Sequence, residues 1–385
     1  MSNTTDVGGG PLHGLRIVEL ASFISAPLAC AMLADLGAEV IKVEPPRGDP
    51  MRRLGRHSSG VSPMWVNSNR GKRGVVLDLK EPAAQAELHE LLATADMVVC
   101  NWRQAVADRL GLRDEELAAK YPRLIRVWVS GFGPTGPLAS SPVFDTIIQA
   151  RLGLTEANGD GETPALDLSF AVDKTSAMMV CQSALAAIVA RERHGVADRV
   201  DVAMFDAAAY ANFVDIMVNR TLLDHEPASA RNLHPSAVRP LATADGWIVV
   251  VPVTSDQVRR TLEAVGRPDL IDKIMAPSDG VELTKTLFRE LDDVLRTKTT
   301  DDVLEALRRH DVPAAPCLTI DEHLRDGQTE HNELYTVREW PGWEDVGPMR
   351  HVRHPAVFST WGHAFPQVGP PVLPGRTPSG SPKPS

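Results

Sequence analysis

Hydrophobic and polar residues follow two alternating spacings along the first 130 residues. Short apolar runs rich in β-branched residues predict strands, and the longer Ala- and Leu-rich stretches between them predict helices. The predicted strands are 15–20, 40–44, 75–80, 97–100 and 124–130, and the clearest helices between them are 26–36 and 82–93. Strands and helices that alternate in this way are typical of βαβ units, so we expect an α/β domain with a Rossmann-like parallel sheet.

The stretch 164–207 places one acidic residue, Asp173, among several predicted elements. Apolar positions at helical spacing predict a helix over 174–193, a strand over 199–204 and another helix over 205–218. Asp173 would be the N-cap of the long helix, which is the simplest interpretation because Asp is a common N-cap residue. Free amide groups and the helix dipole also keep a carboxylate ionised there, and an ionised Asp can act as a nucleophile. The spacing permits both roles.

The pattern changes at about residue 222. A strand is predicted at 247–251, with helices at 256–265, 282–297 and 300–310. We therefore expect a large α/β domain that begins with residues 1–221, a small α/β domain at 222–325, and a C-terminal segment at 326–385. Gly, Ser and Pro are enriched in the first ten residues and the last 17, which we do not expect to form regular structure.

Composition narrows the possible partners. The chain of 385 residues has a formal net charge of −10 and no cluster of Lys and Arg, which argues against nucleic-acid binding. It has no basic-then-apolar signal segment and no apolar run near the roughly 20 residues that span a bilayer, so we expect a cytoplasmic protein without membrane contact. The four cysteines lack the paired spacing of zinc sites, and we expect them to be small core residues in a reducing compartment, with no metal bound.

A dinucleotide site is the obvious alternative for a chain that begins with a βαβ unit. That site needs the motif G-x-G-x-x-G between the first strand and the helix, where backbone approaches pyrophosphate closely. Residues 21–27 read ASFISAP instead. NAD or FAD is therefore not expected, and neither is any permanently bound cofactor.

Three ordered motifs resemble the class III CoA-transferase family, which includes formyl-CoA and carnitine CoA-transferases. They are ASFISAPLACAMLADLGAEVIKVEPPRGDPMR at 21–52, SGFGPTGP at 130–137 and VDVAMFDAA at 200–208. The resemblance implies that coenzyme A is a substrate, that Asp173 is the nucleophile, and that the partners are an acyl-CoA donor and a small carboxylic acid acceptor. It also implies that the C-terminal segment returns to complete the large domain and that two subunits form an interlocked homodimer.

Coenzyme A carries a 3′-phosphate, a pyrophosphate and an adenine, and it therefore needs cations and a flat apolar surface. Arg103 and Arg109, with Trp102, supply those residue types after the predicted strand 97–100; solvated surface arginines are the alternative. The resemblance implies contacts with coenzyme A at Val43, Glu44, Leu77, Lys80, Asn101, Trp102, Arg109 and Met204.

The chemistry implied by the family moves coenzyme A through an aspartyl anhydride and an aspartyl-CoA thioester. The Gly-rich turn at 131–136 and the start of the Asp173 helix are candidate donors to the oxyanions. The alternative is an α-methylacyl-CoA racemase, which needs two acid/base groups. Racemases of the family carry a His where this chain has Phe144, and no His occurs between His89 and His194. A non-catalytic CoA-binding protein would lack the nucleophile. Phe144 also replaces a Tyr common in the transferases, which leaves the substrate acids open.

Overall fold

A computed structural model gives the structure of residues 9–57, 59–159, 162–225, 239–276, 280–364 and 366–372. The chain divides into two compact units, one formed by Met1–Asn212 with His331–Ser385 and the other by Phe213–Glu330. The end segments predicted to lack regular structure, and the loop 225–240 with its His234, lie largely outside the described residues.

The first unit is built on a six-stranded parallel sheet. Its strands are β1 (Arg16–Leu20), β2 (Glu39–Glu44), β3 (Lys72–Val76), β4 (Met97–Cys100), β5 (Ile125–Ser130) and β6 (Arg199–Ala203). The spatial order is β3-β2-β1-β4-β5-β6, and in the register Ile17 lies between Val40 and Met97. Ligands of such sheets bind at the carboxyl ends of the strands, close to the point where the order reverses between β1 and β4. The predicted α/β class with a parallel sheet is confirmed.

Helices cover both faces of this sheet. They are α1 (Ser25–Asp35), α2 (Pro63–Asn69), α3 (Pro82–Ala93), α4 (Gln104–Arg109), α5 (Asp114–Lys120), α6 (Asp145–Leu152), α7 (Leu154–Asn158), α8 (Ala171–His194) and α9 (Met204–Ile216), with a 3₁₀ turn at Pro50–Arg53. Val18 and Leu20 pack with Leu88 and Leu117 of α3 and α5. Successive residues of a strand point to opposite faces, so Glu19 between them faces the side covered by α1 and α8.

Strand β3 begins earlier than predicted. Residues 75–80 were expected to form it, but the strand is Lys72–Val76, and Leu77 already leaves the sheet. Lys72 pairs with Val40 and is 1% exposed, because a buried ion pair with Glu19 compensates its charge. Sequence alone favours a surface loop for Lys72 and Arg73, because it does not show that Glu19 is the partner of Lys72.

The second unit contains a three-stranded antiparallel sheet with helices. Its elements are β7 (Leu241–Ala242), β8 (Trp247–Val250), α10 (Ser255–Ala264), a 3₁₀ turn (Pro268–Leu270), α11 (Ile271–Met275), α12 (Gly280–Leu295), α13 (Thr300–Arg309), β9 (Ala314–Pro316), α14 (Ile320–His323) and α15 (Gly327–His331). The core joins Ile248 of the sheet to Leu262, Leu291 and Leu307 of α10, α12 and α13. Apolar residues at helical spacing thus account for the three main helices of this unit.

The C-terminal segment packs on the first unit. It contains β10 (Tyr335–Arg338), β11 (Met349–Val352), β12 (Val357–Phe358) and β13 (Gly362–His363). The ring of Trp343 lies 6.1 Å from that of Trp65 between centroids, and its indole N–H donates to the carbonyl of Pro370 over 2.9 Å. Arg52 donates to the carbonyl of Pro371 over 3.0 Å. These contacts fasten the end of the described chain beside β2 and β3.

The cysteines differ from one another in exposure. Cys30 and Cys100 are buried as expected, Cys181 is half-buried, and Cys317 is exposed, so the prediction of a core position is wrong for Cys317. Burial raises the pKa of the Cys100 thiol to about 12. Across the described ranges, no cluster of three or more His, Cys, Asp and Glu side chains is arranged to hold a metal ion. Within the same ranges, every helix is too short or too polar to cross a bilayer.

Candidate active site

The turn between β1 and α1, residues 21–24, lies at the centre of the site. Phe23 has a φ of +66°, a left-handed conformation that is strained for an aromatic residue and persists only where surrounding contacts impose it. Asp49 accepts from the backbone N–H of Phe23 over 3.3 Å. On the other side, the carboxamide of Asn101 accepts from the N–H of Ser22 over 3.0 Å and donates to its carbonyl over 2.8 Å. Side chains from the loops that follow β4 and β2 thus fix this turn.

A buried ionic cluster lies beneath the turn. Lys42 Nζ lies 2.7 Å from Glu19 Oε1 and 3.1 Å from Asp49 Oδ2, and it donates to the carbonyl of Ala21 over 2.8 Å. Lys72 Nζ lies 2.6 Å from the other oxygen of Glu19. Burial would lower the pKa of Lys42, but the charges of Glu19 and Asp49 raise it above its ordinary value. Burial lowers the pKa of Lys72, and the charge of Glu19 opposes that shift. Lys42 therefore stays charged, and both ammonium groups lie against carboxylates that support the turn.

Asp173 lies in the first turn of α8 but is not its N-cap. The helix begins at Ala171, and the N-cap position belongs to Phe170, whose ring cannot accept a hydrogen bond from the amides. The N–H of Asp173 instead donates to Asp145 Oδ2 over 2.9 Å. The prediction that Asp173 caps the helix is wrong, because the capping carboxylate comes from α6, 28 residues earlier. The side chain of Asp173 is left available for another role.

Asp145 is itself held tightly. It is 3% exposed, and its second oxygen accepts from the carboxamide of Gln149, one helical turn later. Gln149 also donates to the carbonyl of Asp167 over 2.8 Å and accepts from its N–H over 2.9 Å. The start of α8, the start of α6 and the segment before α8 are therefore joined through two side chains.

The environment of Asp173 makes its carboxylate more basic than usual. Burial, and then the charge of Asp145, raise the pKa of Asp173 to about 6, while hydrogen bonds from the backbone and hydroxyl of Ser25 lower it. Ser25 is the first residue of α1 and follows the strained turn directly. Its hydroxyl also lies 4.0 Å from the sulfur of Met204, at the start of α9. The carboxyl is mostly ionised at neutral pH and yet retains enough basicity for a nucleophile.

A cavity of about 460 Å³ opens at the carboxyl ends of β1 to β4, close to the point where the strand order reverses. Six of the residues predicted to contact coenzyme A line it: Val43, Glu44, Leu77, Lys80, Trp102 and Arg109. Its walls thus combine apolar side chains and an indole ring with two exposed cations and with the carboxylates of Glu44, Asp49 and Asp78. The volume is in the range of sites for small ligands and cofactors.

Glu44 lines this cavity, but its carboxylate is occupied by other groups. It accepts from Arg52 over 2.7 and 2.6 Å and from the N–H of Asp49 over 2.8 Å. Burial raises the pKa of Glu44, but Arg52 more than offsets that effect and leaves it below its ordinary value. The carboxylate therefore fixes the loop after β2.

Three other predicted contact residues lie outside the cavity lining as the structure describes it: Asn101, Arg103 and Met204. Asn101 supports the β1–α1 turn, Arg103 is exposed at the N-cap position of α4, and Met204 lies beside Ser25. The sequence analysis missed Ser25, Asp145 and Gln149. Ser25 directly precedes a predicted helix and Asp145 directly follows Phe144, but neither position in the sequence indicates contact with Asp173.

A larger cavity, of about 870 Å³, lies at the opposite, amino-terminal edge of the sheet. Arg16, Glu39 and Arg73 line it, and Glu39 lies 2.8 Å from Arg16 and 3.0 Å from Arg73. Glu39 is thus paired with two arginines and Asp96 with Arg191, and the six predicted residues that line the smaller cavity lie at the other edge. Size alone therefore does not identify the site.

Comparison with known proteins shows which family the chain resembles. The chain matches CoA-transferase family III over residues 12–375. It is 33% identical over 321 residues to the probable fatty acyl-CoA transferase Rv3272 of Mycobacterium tuberculosis, covering 79% of this chain and 82% of that protein. It is 32% identical over 327 residues to the acetyl-CoA:oxalate CoA-transferase of Acetobacter aceti, covering 83% and 84%. A CAIB/BAIF family protein from Brucella suis superposes with a TM-score of 0.82 at 26% identity, over 95% of this chain and 97% of that one.

Proposed function

Because the chain belongs to CoA-transferase family III and is thus a CoA-transferase, we propose that it moves coenzyme A between carboxylic acids through covalent intermediates on Asp173. One observation carries this proposal. Asp173 is a half-buried carboxylate with a pKa of about 6, bonded by Ser25, and it shares the carboxyl edge of the sheet with the cavity. The β1–α1 turn connects the two, since Ser22 lines the cavity and Ser25 contacts Asp173.

The cavity would bind the nucleotide end of coenzyme A. Trp102 and Val43 offer an apolar surface to the adenine, and Lys80 and Arg109 offer cations to the phosphates. Both cations are exposed, as expected for groups that meet a highly charged, partly solvated ligand. The pantetheine arm would then extend past the β1–α1 turn toward Ser25.

The reaction would proceed in two matched halves. The Asp173 carboxylate attacks the thioester carbonyl. A bond forms between a carboxylate oxygen and the acyl carbon as the C–S bond breaks, which gives a mixed anhydride and the CoA thiolate. The thiolate attacks the carbonyl carbon of Asp173, which gives an aspartyl-CoA thioester and releases the donor acid. The acceptor carboxylate attacks that thioester, which gives a second mixed anhydride and releases the CoA thiolate. The thiolate attacks the acceptor carbonyl of this anhydride, which gives the new acyl-CoA and restores the Asp173 carboxylate as the leaving group. Bonds and charge balance without a net proton transfer.

Ser25 would have a second role in these steps. Its N–H and hydroxyl bond the resting carboxylate, and the same donors would bond the oxyanion that forms when the thiolate attacks the carbonyl of Asp173. Two of the donors suggested by the sequence are engaged elsewhere: the N–H of Asp173 bonds Asp145, and the N–H of Gly133 bonds the hydroxyl of Ser130 over 3.1 Å. Ser25 therefore replaces them in our proposal.

The racemase alternative is not favoured by this arrangement. Phe144 places a phenyl ring beside Asp145, and a phenyl ring cannot exchange a proton. Asp145 is a carboxylate, but its two oxygens bond the N–H of Asp173 and the carboxamide of Gln149. A second acid/base group opposite Asp173 is thus not supplied by either residue.

We also propose that the enzyme acts as a homodimer. Tyr210 of α9 is 74% exposed and Met178 of α8 is 55% exposed, which is unusual for large apolar side chains and is consistent with burial against a second copy. Light scattering after size-exclusion chromatography should give twice the 41.7 kDa of one chain. A single-chain mass at micromolar concentration would contradict this.

Trapping tests the proposed nucleophile. Incubation with an acyl-CoA and then hydroxylamine should convert Asp173 into a hydroxamate that peptide mass spectrometry locates, and Asp173→Asn should abolish CoA exchange. Asp301 is a matched control, because it is also an acidic residue in the first turn of a helix, α13 of the second unit. Asp301→Asn should keep wild-type activity. An unmodified Asp173 in an active enzyme, or an active Asp173→Asn variant, would refute the proposal.

A further inference from the structure

Two phenyl rings, Phe23 and Phe144, meet beside the proposed nucleophile. Their centroids lie 5.2 Å apart at an interplanar angle of 74°, an edge-to-face contact. Phe144 directly precedes Asp145, which bonds the N–H of Asp173. Phe23 lies two residues before Ser25, which bonds the carboxylate of Asp173. Phe144 is therefore next in the chain to a residue that bonds Asp173, and Phe23 is two positions from another.

The two rings differ in exposure: Phe23 is half-buried and packs against the core cluster that contains Trp65, whereas Phe144 is exposed. Phe144 is 59% exposed, whereas Trp65 beneath the C-terminal segment is 1% exposed. Phe170, three residues before Asp173, is 42% exposed and has a left-handed backbone, with φ of 55°. Apolar rings that fold against one another and still face outward beside a reactive group form a surface that an apolar ligand can cover.

The groups that act on the carboxylate of Asp173 include no cation. Burial and the charge of Asp145 raise the pKa of Asp173, and no Lys or Arg of the described chain counteracts them. The nearest cation along the sequence, Lys174, acts on Asp167, whose pKa is lowered by the backbone and hydroxyl of Ser169 and further by Lys174. A substrate with a second carboxylate would meet the carboxylates of Asp145 and Asp173 and two phenyl rings here, and all four groups disfavour a second negative charge.

We infer that the acyl groups carried by this enzyme are those of apolar monocarboxylic acids, whose side chains pack on Phe23 and Phe144, and that dicarboxylic acids are poor substrates. This inference rests on the proposed function, since it assigns the acyl side of the same site. It makes Phe144 a specificity-determining residue. The residue contacts the acyl chain rather than the reacting carbonyl.

Matched acids test the inference directly. Pentanoate and glutarate have the same number of carbon atoms and differ only in a terminal methyl or carboxylate, and butanoate and succinate form a second pair. CoA exchange from acetyl-CoA to each acid is followed by mass spectrometry at pH 8, where Asp173 is ionised. We expect kcat/KM to favour the monocarboxylate of each pair by roughly tenfold or more, the size of effect that a changed pocket contact produces.

A variant that introduces a positive charge sharpens the test. Phe144→Arg supplies a cation and should raise kcat/KM for glutarate relative to pentanoate by at least tenfold. Phe144→Leu should lower kcat/KM for pentanoate, and glutarate should remain a poor substrate. Val337→Arg, at a 57% exposed position of β10, adds the same charge elsewhere and should leave the ratio unchanged.

The outcomes separate the two proposals. Exchange into glutarate or succinate that equals or exceeds exchange into the matched monocarboxylate overturns the acyl class and leaves CoA transfer standing. A preference that Phe144→Arg does not move overturns the role of Phe144. Absence of exchange into all four acids, with Asp173 unmodified by trapping, overturns the proposed function and this inference together.

Discussion

Two groups of carboxylates contact the β1–α1 turn, and their partners differ. Asp49, which bonds the N–H of Phe23, and Glu19 beneath it are neutralised by Lys42 and Lys72 at 2.6 to 3.1 Å. On the α8 side, Asp173 is bonded by Ser25 and faces the charge of Asp145, with neutral donors only. One group is electrically compensated, and the other is not.

The difference separates structural support from reactivity. A buried carboxylate paired with an ammonium group is held in its charged form and is a poor nucleophile, because its lone pairs are engaged by the cation. A carboxylate surrounded by amides, a hydroxyl and a second carboxylate has a raised pKa, which favours attack on a thioester. The β1–α1 turn thus connects the ion-paired cluster of Glu19, Asp49 and Lys42 to the reactive carboxylate of Asp173.

The largest expected effect comes from removing the compensating cation. Lys42→Met leaves Glu19 and Asp49 buried with one cation fewer and removes a donor to the carbonyl of Ala21. The free energy of unfolding should fall by about 3–5 kcal/mol, as it does when one partner of a buried ion pair is lost. Urea titration measures it. Lys80→Met, at an exposed position, is the control and should stay within about 0.5 kcal/mol of wild type. Equal stability of the two variants would contradict the structural role of the cluster.

Much of the fold could be predicted from the sequence, because local patterns determine it. The helix at 82–93 and the strand at 97–100 are found as predicted, since apolar residues occur there at a clear helical or strand spacing. Strand β3 was misplaced because its first residue, Lys72, is stabilised by Glu19, 53 residues away in the sequence. Pairing between distant charges leaves no local pattern.

The site divides in the same way. Trp102 and Arg109 could be proposed from their residue types after a strand, and Asp173 from its position at a helix start together with the family motifs. Ser25 and Asp145 could not be found, because their roles depend on contacts with Asp173 that cross between helices. The capping prediction failed for this reason: a local rule assigned Asp173 a role that Asp145 performs.

An intermediate effect should appear when the uncompensated charge is removed. The folded-state pKa of Asp173, about 6, lies above its ordinary value of 3.8, so this carboxyl binds a proton more tightly in the folded state than in the unfolded state. The folded state therefore loses stability relative to the unfolded state as the pH rises from about 4 to about 6, and the full cost is present above pH 6. Asp173→Asn should raise the free energy of unfolding relative to wild type by roughly 2 kcal/mol at pH 8, with the gain disappearing near pH 4.

Thermal or urea unfolding at several pH values checks this prediction, and the pH dependence is the decisive quantity. Asp301→Asn, at an exposed position in the first turn of α13, should show no such dependence. A gain that is equal at pH 4 and pH 8 would mean that the substitution changes packing rather than charge.

The smallest effect, and the most selective, is expected from Asp145→Asn. Asn keeps an oxygen that can accept from the N–H of Asp173, so the cap on the start of α8 is retained. The bond from Gln149 is lost, because Asp167 holds the Gln149 carboxamide in its present orientation. The negative charge is lost, and because that charge raises the pKa of Asp173, the pKa should fall. The acidic limb of kcat/KM against pH should move down by about half to one pH unit.

The comparison variant is Asp167→Asn. Asp167 belongs to the same hydrogen-bonded group through its backbone, but its side chain bonds Ser169 over 2.7 Å and is not among the groups that shift the pKa of Asp173. Its pH profile should match that of wild type. If Asp145→Asn leaves the acidic limb in place, or moves it up, then the charge of Asp145 does not act on the nucleophile, and the contrast between a compensated and an uncompensated carboxylate group fails at its reactive side.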